Sequence, residues 1–568
     1  MPPPPPPPPV RQESSMPLLA EERSNRHRPS HERGYSQDLE ERPVAIQGPD
    51  EDSDGNPLSA LDKKYRLVDD EIDSHGMGRY QWFVWTLCGL GYLLDLLYAQ
   101  AFGLVLGAIQ QEFGFSGGES GNISVAFSAG LTAGAFFWGI MGDVIGRRWV
   151  FNLTCLFSAA FGAGLGASNN YGTFLALTVF IGFGVGGNIP IDTTICLEFI
   201  PSNRRFLLAM LSIFQPIGVV MTSVIAYGFV PTHSCEPNFS MDNALPSCNN
   251  VSNGEACCRP EDNRGWRYVL YTIGAINVLV FLSRFVVFNI RESPKYLLSN
   301  GKDQQALEVL QSVAKVNKKK CGLTIEDFQS ADALSDSDSG GSRKSLLDPK
   351  HWKDESKKEL SRYKQLFQGK QMARITILVW LTYICDFWGF TLAGHYFPKI
   401  IALKDAEVSL TLEETYRNYI AIYAPGIVGV IIGAFMIRLP RLGKKWTMVI
   451  SSGLMGISIM IFSFTNSQAS NTGLNAMEYF FQSMFNAVLY GWTPEVFPAA
   501  IRGTATGLAS TLGRLFGILA PIVAQSVIGD SGLNDINSIK KILYLSGGVT
   551  LICVLTTALL PNRIKTNK

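Results

Sequence analysis

Apolar residues in this chain are concentrated in twelve long runs separated by shorter polar stretches. Each run holds roughly 20 mostly apolar residues, the length that an α-helix needs to cross the hydrocarbon core of a bilayer. Because only helices and closed barrels satisfy their backbone hydrogen bonds in lipid, and the runs are too long for barrel strands, the pattern predicts an all-α polytopic membrane protein. The runs, numbered as spans 1 to 12, cover about 81–105, 122–141, 149–167, 173–196, 207–230, 266–290, 374–398, 419–437, 447–465, 476–493, 504–525 and 542–560.

Two long polar stretches divide the spans into two groups of six. The first stretch opens with a run of prolines and has mixed charge, so we expect a disordered cytosolic tail. The second separates span 6 from span 7. The predicted organisation is an N-terminal tail (1–78), an N-terminal six-helix half (79–290), a cytosolic middle loop (291–373), a C-terminal six-helix half (374–560) and a cytosolic C-terminal tail (561–568).

Composition narrows the range of functions. Charged residues make up 17% of the 568 positions, against about 25% in globular chains, which argues against a soluble multi-domain enzyme. The formal net charge of +1 gives no basic footprint, so no nucleic-acid partner is expected. The sequence also carries no P-loop, nucleophile triad or metal-ligand cluster. We therefore expect neither catalysis nor a cofactor or metal ion.

Lysine and arginine are concentrated on one side of the predicted layout, which places both termini and the middle loop in the cytosol. The loop 231–265 then lies outside. It holds two N-glycosylation sequons, at Asn238 and Asn250, and both glycosylation and disulfide formation require the outer or lumenal side. Its four cysteines allow three pairings, of which a bond between the adjacent pair is disfavoured. These cysteines are Cys235, Cys248, Cys257 and Cys258.

The two halves contain a repeated sequence. The pattern E-x-x-P-x-x-x-R begins at Glu198 and again at Glu495, an offset of 297 residues. At the same offset, the tripeptide G-R-R at 146–148 is matched by G-K-K at 443–445. A shared ungapped offset indicates two parallel repeats, an arrangement found in secondary transporters that bind their substrate between the halves.

Charged residues inside the spans indicate function by default, because each costs on the order of 2.5–3.5 kcal/mol at a helix centre on insertion scales. Asp95 and Asp386 lie at matching mid-span positions in the first helix of each half, after Y-L-L and Y-I-C. An ionised carboxylate at that depth must be protonated for part of the cycle or paired with a cation. We therefore expect Asp95 to carry a proton or to contact substrate. The alternative is a structural ion pair with Arg284 or Arg514.

Further polar side chains are candidates for the same cavity. Asp192 in span 4 is a second candidate for proton or substrate binding. Arg514 in span 11 is the main positive one, suited to hold an anionic group or to balance Asp192. Gln215 in span 5 and Gln482 in span 10 supply amides for a polar solute, although each amide alone is more often a helix–helix contact. Glu478, near the outer end of span 10, is a further intramembrane candidate, with exposure to water as its alternative.

Several motifs resemble those of the major facilitator superfamily. The residues from Gly139 to Arg148 read G-I-M-G-D-V-I-G-R-R, similar to the superfamily loop motif G-x-x-x-D-x-x-G-R-R/K. R-E-S-P-K-Y-L from Arg291 and T-P-E-V-F-P from Thr493 resemble the sugar-porter branch. The glycine-rich run at 182–187 is most similar to synaptic-vesicle-protein-related members, particularly fungal ones. The resemblance implies the major facilitator fold, with twelve transmembrane helices in two six-helix halves.

The resemblance also implies a cytosolic gate. In such a gate, ion pairs at the inner ends of neighbouring helices close the cavity and break when the halves rock. The alternative is that these charges are solvated topology signals. The residues implied are Asp143, Arg147, Arg148, Glu198, Arg205, Glu495 and Arg502. Gln215 resembles the glutamine of the fifth helix that contacts sugar in sugar porters.

These observations predict a secondary active transporter that moves a small polar organic solute by alternating access, with proton-coupled symport as the expected mode. The alternatives are a proton-antiport exporter of an organic metabolite and a non-transporting membrane nutrient sensor on the same fold. The expected partners are the small-molecule substrate, protons and the lipid bilayer, and the expected state is a monomer. The expected location is the plasma membrane, with an endomembrane such as the vacuole as the alternative.

Overall fold

Twelve long helical segments match the twelve predicted spans. The computed structural model describes residues 60–241, 243–252, 254–287, 290–333, 364, 366–407, 411–439, 442–465, 467–497, 502–528 and 536–560. Eight of these segments are long and apolar enough, by length and composition, to cross a membrane. The spans run over Arg79–Phe113, Asn122–Ile145, Arg147–Leu165, Tyr171–Phe199, Phe206–Phe229, Gly265–Leu282, Lys370–Glu407, Leu412–Met436, Gly443–Phe462, Gln468–Val496, Arg502–Ile528 and Ile536–Ala558.

Three of the spans are interrupted near a proline. Span 4 breaks after Gly186 and resumes before Pro190, and span 5 breaks at 212–213, ahead of Pro216. Span 8 restarts at Pro425. Proline lacks the N–H of the helical ladder, and its ring clashes with the carbonyl group four residues earlier, so the helix bends or breaks there.

Glycines bring spans 2 and 4 into backbone contact. A Cβ atom on Gly182 would collide with the carbonyl oxygen of Phe127, and one on Gly186 with that of Leu131. From the other side, a Cβ on Gly130 would meet the carbonyl oxygen of Val179. Small residues at such an interface let two helices approach closely where lipid offers no hydrophobic drive for association. The glycine-rich run therefore serves helix packing.

A helix precedes span 1, where the sequence predicted a disordered tail. It runs from Ala60 to His75 and buries Leu67, Val68 and Ile72. This apolar side packs against middle-loop helices at Pro294–Ser299, Asp303–Val316 and Ile325–Ala333. The prediction was wrong for residues 60–75, because a short amphipathic helix gains its stability from a tertiary partner that composition alone does not reveal.

Ion pairs hold the same cluster of helices together. The Nζ atom of Lys64 donates to Asp303 at 2.6 Å and to Asp332 at 2.7 Å. Burial disfavours the charge on Lys64, but the hydrogen bonds to the two carboxylates outweigh it, and the pKa of the ammonium group is raised. Lys295 pairs with Asp69 at 2.6 Å. The helix before span 1 is thus fixed to the middle loop by both apolar and charged contacts.

The two halves meet along a limited set of spans. Spans 1, 2 and 5 of the N-terminal half contact spans 7, 8, 10 and 11 of the C-terminal half. Span 2 lies against span 11, span 5 against spans 8 and 10, and span 1 against span 7. This interface encloses the candidate site.

Candidate functional site

A cavity of about 1100 Å³, measured to include its open mouth, lies between the two halves. Its walls come from spans 1, 2 and 5 on one side and from spans 7, 8, 10 and 11 on the other. Residues that line it include Asp95, Gln100, Phe102, Ser124, Phe127, Ser128, Val219, Phe387, Thr391, Tyr423, Asn475, Glu478, Tyr479, Gln482 and Arg514. The cavity therefore combines aromatic surface, amides and hydroxyls with three ionisable groups.

Asp95 and Arg514 lie on opposite halves and face the same cavity. Their side chains are buried, with 7% and 3% of the residue surface exposed. In the described part of the chain, Asp95 Oδ1 and the Nε and Nη1 atoms of Arg514 have no hydrogen-bond partner. The two charges interact electrostatically but do not form an ion pair within 4 Å. Arg514 also lies 5.8 Å from the ring centroid of Phe387. Both groups thus keep polar atoms available to a ligand.

Glu478 is a third ionisable group of the cavity. The sequence placed it near the outer end of span 10, with exposure to water as an alternative, but it is 5% exposed and lines the cavity wall. No hydrogen bond or ion pair to Glu478 occurs among the described residues. Exposure to water, one of the two alternatives for Glu478, is therefore wrong. The sequence alone did not show that Glu478 faces the cavity, because this depends on how span 10 packs against spans 8 and 9.

The predicted glutamines lie close to one another. Gln482 lines the main cavity and also a smaller one of about 240 Å³. Gln215 lines the smaller cavity, together with Asn486 and Ser483. The two cavities share Leu96, Tyr479 and Gln482. The structure thus brings Gln482 to the main site and Gln215 to a side chamber next to it.

Asp386 does not line the main cavity, although it is the repeat partner of Asp95. The hydroxyl of Tyr490 donates to its Oδ2 at 3.4 Å. The Asn486 amide, oriented with its nitrogen toward Asp386, donates to both carboxylate oxygens at 2.8 and 3.2 Å. The Asp386 carboxylate is therefore hydrogen-bonded by side chains of span 10. Asp95, in contrast, keeps a carboxylate oxygen available to a ligand.

Asp192 lies away from the cavity, in a buried ion pair with Arg284. Arg284 Nη2 donates to Asp192 Oδ2 at 3.0 Å, and neither side chain is exposed. The guanidinium also donates to the carbonyl oxygens of Leu87 and Phe151, at 3.1 Å each, and lies 3.8 Å from the Phe151 ring centroid. Arg514 does not balance Asp192 in this arrangement. The ionic partner is Arg284, which lies just after the end of span 6 at Leu282; its place inside the predicted run 266–290 was the signal available in the sequence.

Ion pairs join the inner ends of the helices within each half. Arg147 at the start of span 3 pairs with Glu198 at the end of span 4. Lys444 pairs with Glu495 at the equivalent place in the C-terminal half. Lys444 and Glu495 lie 297 residues after Arg147 and Glu198, so the two ion pairs are equivalent in the sequence repeat. Lys444 was not predicted as a gate residue, although the repeat pointed to it.

The remaining gate residues are placed as follows. Arg205 has no hydrogen-bond partner for its buried Nε atom within the described chain. The side chains of Asp143 and Arg502 lie outside the described residues. Arg148 donates its backbone N–H to Glu292, which also accepts the N–H of Arg147 at 3.0 Å. Glu292 thereby caps the start of span 3, a role that its R-E-S-P motif did not reveal.

Contacts between the halves lie on the side of the cavity nearer the loop 231–265. The Tyr416 hydroxyl of span 8 donates to the Leu104 carbonyl of span 1 at 2.5 Å, and the Tyr227 hydroxyl donates to Glu413 at 3.1 Å. Tyr416, Tyr419 and Tyr423 form a continuous row of ring contacts on span 8. Tyr423 at the inner end of this row reaches the cavity wall.

Other contacts between the halves lie on the inner side. The Arg438 guanidinium lies 3.7 Å from the ring centroid of Phe206. Gly491 of span 10 packs so closely on span 5 that an added Cβ would approach the Ala209 Cβ to 2.8 Å. With the tyrosine row above, these contacts describe a cavity held between two layers of inter-half contacts.

The outer loop is closed by two disulfide bonds. Cys235 pairs with Cys258, and Cys248 with Cys257. The loop is fixed to the end of span 1, where Asn250 Nδ2 donates to the Gly114 carbonyl at 2.8 Å. Glu112, next to it, accepts from Arg267 at 2.7 Å and from Trp266 at 2.8 Å.

The fold and the enclosed cavity define a membrane transporter with two six-helix halves. Residues 98–562 match the family model described as sugar (and other) transporter, and the chain belongs to this family of the major facilitator superfamily. The predicted resemblance and the twelve-helix fold are confirmed, and the protein is a transporter rather than an enzyme.

Curated relatives agree with this assignment. The chain is 34% identical over 479 residues to "MFS siderochrome iron transporter 1" of Ceriporiopsis subvermispora, covering 82% of this chain and 86% of that protein. It is 22% identical to "Synaptic vesicle 2-related protein" of Pongo abelii, covering 88% and 81%. The solved structure of the proton:xylose symporter XylE bound to 6-bromo-6-deoxy-D-glucose has a TM-score of 0.60 at 16% identity, covering 85% and 96%. At that identity the structural match supports the fold.

Proposed function

We propose that this transporter is a proton-coupled symporter of a small polar organic solute and that Asp95 carries the coupling proton. The observation that carries the proposal is the placement of Asp95 opposite Arg514. Both side chains are buried and face one cavity between the halves, and both keep polar atoms without a partner. Proton coupling requires a group of this kind, whose charge state can change where the two halves meet.

The pair offers a simple coupling cycle. When Asp95 is ionised, its negative charge attracts Arg514 and offsets the positive field in the cavity. A proton from the outer side neutralises Asp95, which leaves the Arg514 guanidinium free to bind an acceptor group of the solute. The loaded carrier then rocks. When Asp95 releases its proton to the cytosol, its charge competes again for Arg514, and the solute leaves.

Two further groups act on Asp95 from neighbouring helices. Arg514 faces it from span 11, and the Tyr490 hydroxyl of span 10 interacts with it electrostatically. Tyr490 in turn donates to Asp386 of span 7. The repeat partner Asp386 is therefore connected to the same region but has its own hydrogen-bond donors, which supports Asp95 as the coupling group.

Proton flux in reconstituted vesicles tests the proposal. Purified protein is placed in liposomes that contain the pH-sensitive dye pyranine, with potassium and valinomycin to clamp the membrane potential. Sugars, organic acids, vitamins and amines are added outside in turn. A symported solute acidifies the lumen, an antiported solute alkalinises it, and a non-transporting sensor gives no solute-dependent change.

Asp95→Asn and Asp386→Asn form a matched pair of variants. Asp95→Asn resembles the permanently protonated form, so it is expected to abolish solute-driven acidification while exchange of labelled solute persists. Asp386→Asn alters an equally deep carboxylate outside the cavity and is expected to retain coupling. If Asp95→Asn still acidifies the lumen on solute addition, Asp95 is not the coupling residue.

We also propose that Arg147–Glu198 and Lys444–Glu495 act as the cytosolic gate. Each pair lies at the inner end of neighbouring helices and has the same position in its half. Lys444 and Glu495 are each about one third exposed, and exposed pairs contribute about 0–1 kcal/mol, so this pair is weak enough to break during rocking. Arg147–Glu198 is more buried and is expected to be the stronger of the two. The tyrosine row Tyr416–Tyr419–Tyr423 is proposed as the outer counterpart.

The plasma membrane is the proposed location, and a monomer is the proposed oligomeric state.

Glycosylation of the loop 231–265 is also part of the proposal. The two sequons of this loop support its exposure on the outer or lumenal side. Asn250 has an exposed side chain, whereas Asn238 is 3% exposed and accepts from the Ser240 hydroxyl and N–H. A glycosylated amide keeps one N–H, so Asn250 can retain its bond to Gly114. Asn250 is therefore the favoured acceptor.

A further inference from the structure

We infer that the cavity recognises a zwitterionic solute, with a cationic group held by Glu478 and an anionic group held by Arg514. This inference rests on the proposed transport function and specifies its substrate class. The decisive observation is that the cavity holds a carboxyl group, Glu478, and a guanidinium group, Arg514, on neighbouring helices, and neither has an ion-pair partner within 4 Å among the described residues.

The two charges lie at different depths. Glu478 is eighteen residues before the inner end of span 10 at Val496, and Arg514 is twelve residues after the inner end of span 11 at Arg502. At a rise of about 1.5 Å per residue, this difference of six residues corresponds to about 9 Å along the helices. A solute that pairs with both carries its charges at opposite ends of its body.

Charge balance favours a solute with two opposite charges. A buried carboxylate is stable in its ionised form only beside a cation, so a cationic group of the solute would keep Glu478 ionised in the loaded state, in which Asp95 is protonated. An anionic group of the same solute would pair with the Arg514 guanidinium, which a neutral or purely cationic solute leaves without a counter-ion. A zwitterion neutralises both.

The wall between the two charges suits an apolar or aromatic body. Phe102, Phe127 and Phe387 line the cavity, together with Tyr423 and Tyr479. Gln482 on the same wall adds a hydrogen-bonding amide. Aromatic surface with a few polar groups that fix orientation is the usual composition of a small-molecule site.

Five small compounds of one body size test the inference by binding. The probe is 4-(aminomethyl)benzoate, a zwitterion with charges at opposite ends. Its comparators are 4-methylbenzoate, 4-methylbenzylamine and 4-methylbenzyl alcohol, which lack one or both charges. Phenylglycine is an isomer of the probe with both charges at one end. Binding to purified full-length protein is measured at pH 6 by thermal stabilisation, and the probe is expected to bind about tenfold or more tightly than every comparator.

Two variants assign the charges. Glu478→Gln is expected to bind the probe no better than 4-methylbenzoate, and Arg514→Gln to bind it no better than 4-methylbenzylamine. Glu326→Gln, at an exposed cytosolic position, is the control and should retain the wild-type order. Equal affinity for the probe and the neutral alcohol, or no effect of Glu478→Gln, contradicts the inference.

A second measurement decides the question if no compound binds. Asn475 lies one turn from Glu478, and Thr391 lies one turn from Phe387, which Arg514 contacts; both line the cavity. Asn475→Cys is expected to react faster with a cationic methanethiosulfonate reagent, and Thr391→Cys with an anionic one. Glu478→Gln should remove the first preference. Equal rates with both reagents at both sites would overturn the inference.

These outcomes are separate from those of the proton-flux test. If the probe binds with the expected charge dependence but drives no proton movement, the substrate class stands and proton symport fails. If a neutral solute drives Asp95-dependent acidification and Glu478→Gln has no effect, symport stands and the zwitterion inference fails.

Discussion

Replacing Asp192 by asparagine is expected to destabilise the protein by about 3–5 kcal/mol, the usual cost of breaking a buried ion pair. Asp192 and Arg284 are fully buried and meet at 3.0 Å. Asparagine keeps the shape and an acceptor oxygen but removes the negative charge. The Arg284 guanidinium then retains its bonds to the carbonyl oxygens of Leu87 and Phe151 but has no counter-ion. The magnitude therefore comes from an uncompensated buried charge rather than from lost packing.

A double variant separates these two causes. Asp192→Leu with Arg284→Met removes both charges and fills similar volumes with apolar groups. Such replacements are often neutral or stabilising, so the double variant is expected to lie near the wild type, although each single change is costly. The coupling between the two positions should therefore be several kcal/mol.

The assay compares wild type, both single variants and the double variant in one detergent. Thermal unfolding ranks the four proteins, and a denaturant titration gives differences in the free energy of unfolding. Transport by the double variant is measured in parallel, and it should persist because the pair lies outside the cavity. A buried, charged pair is contradicted if Asp192→Asn stays within about 1 kcal/mol of wild type, or if the double variant is as unstable as the two single changes added together.

Three other predictions concern the surface and the gate. Asn250→Gln should abolish the mass shift produced by glycosidase, whereas Asn238→Gln should leave it; a glycan that persists in Asn250→Gln would contradict the exposed-sequon assignment. Glu292→Ala should lower the free energy of unfolding by about 0.5–2 kcal/mol through loss of the cap on span 3, measured by the same titration; an unchanged midpoint would show that the cap contributes nothing. Glu198→Gln and Glu495→Gln should slow transport at equal surface expression, because loss of an inner ion pair shifts the equilibrium between the two cavity states; normal rates in both would rule out a gating role.

The twelve spans were predictable because lipid imposes a simple rule on sequence. A helix that crosses a bilayer must be apolar for about twenty residues, so length and composition suffice. The inner ion pairs were partly predictable for a different reason. The 297-residue repeat relates Glu198 to Glu495 and Arg147 to Lys444. Once Arg147 is known to pair with Glu198, the repeat therefore predicts that Lys444 pairs with Glu495.

The chemistry of the cavity was less predictable. A span is apolar on nearly all sides, so its sequence gives little indication of which face meets lipid and which meets another helix. Asp192 and Asp95 therefore carried the same signal, but one faces Arg284 and the other faces the cavity. Glu478 carried the weakest signal of the three because of its distance from mid-span. Which carboxylate faces the cavity depends on helix rotation, which is fixed by contacts between spans that are distant in sequence.

The disulfide-bonded outer loop has a practical consequence for imaging. Single-particle images of a transporter are aligned more accurately when a rigid feature projects from the membrane. The loop is cross-linked at Cys235–Cys258 and Cys248–Cys257, and its described hydrogen bonds join it to the end of span 1. An antibody fragment that binds this loop would therefore keep a fixed orientation relative to the N-terminal half. It would serve as a fiducial marker, and the angle between it and the C-terminal half would report the state of each particle.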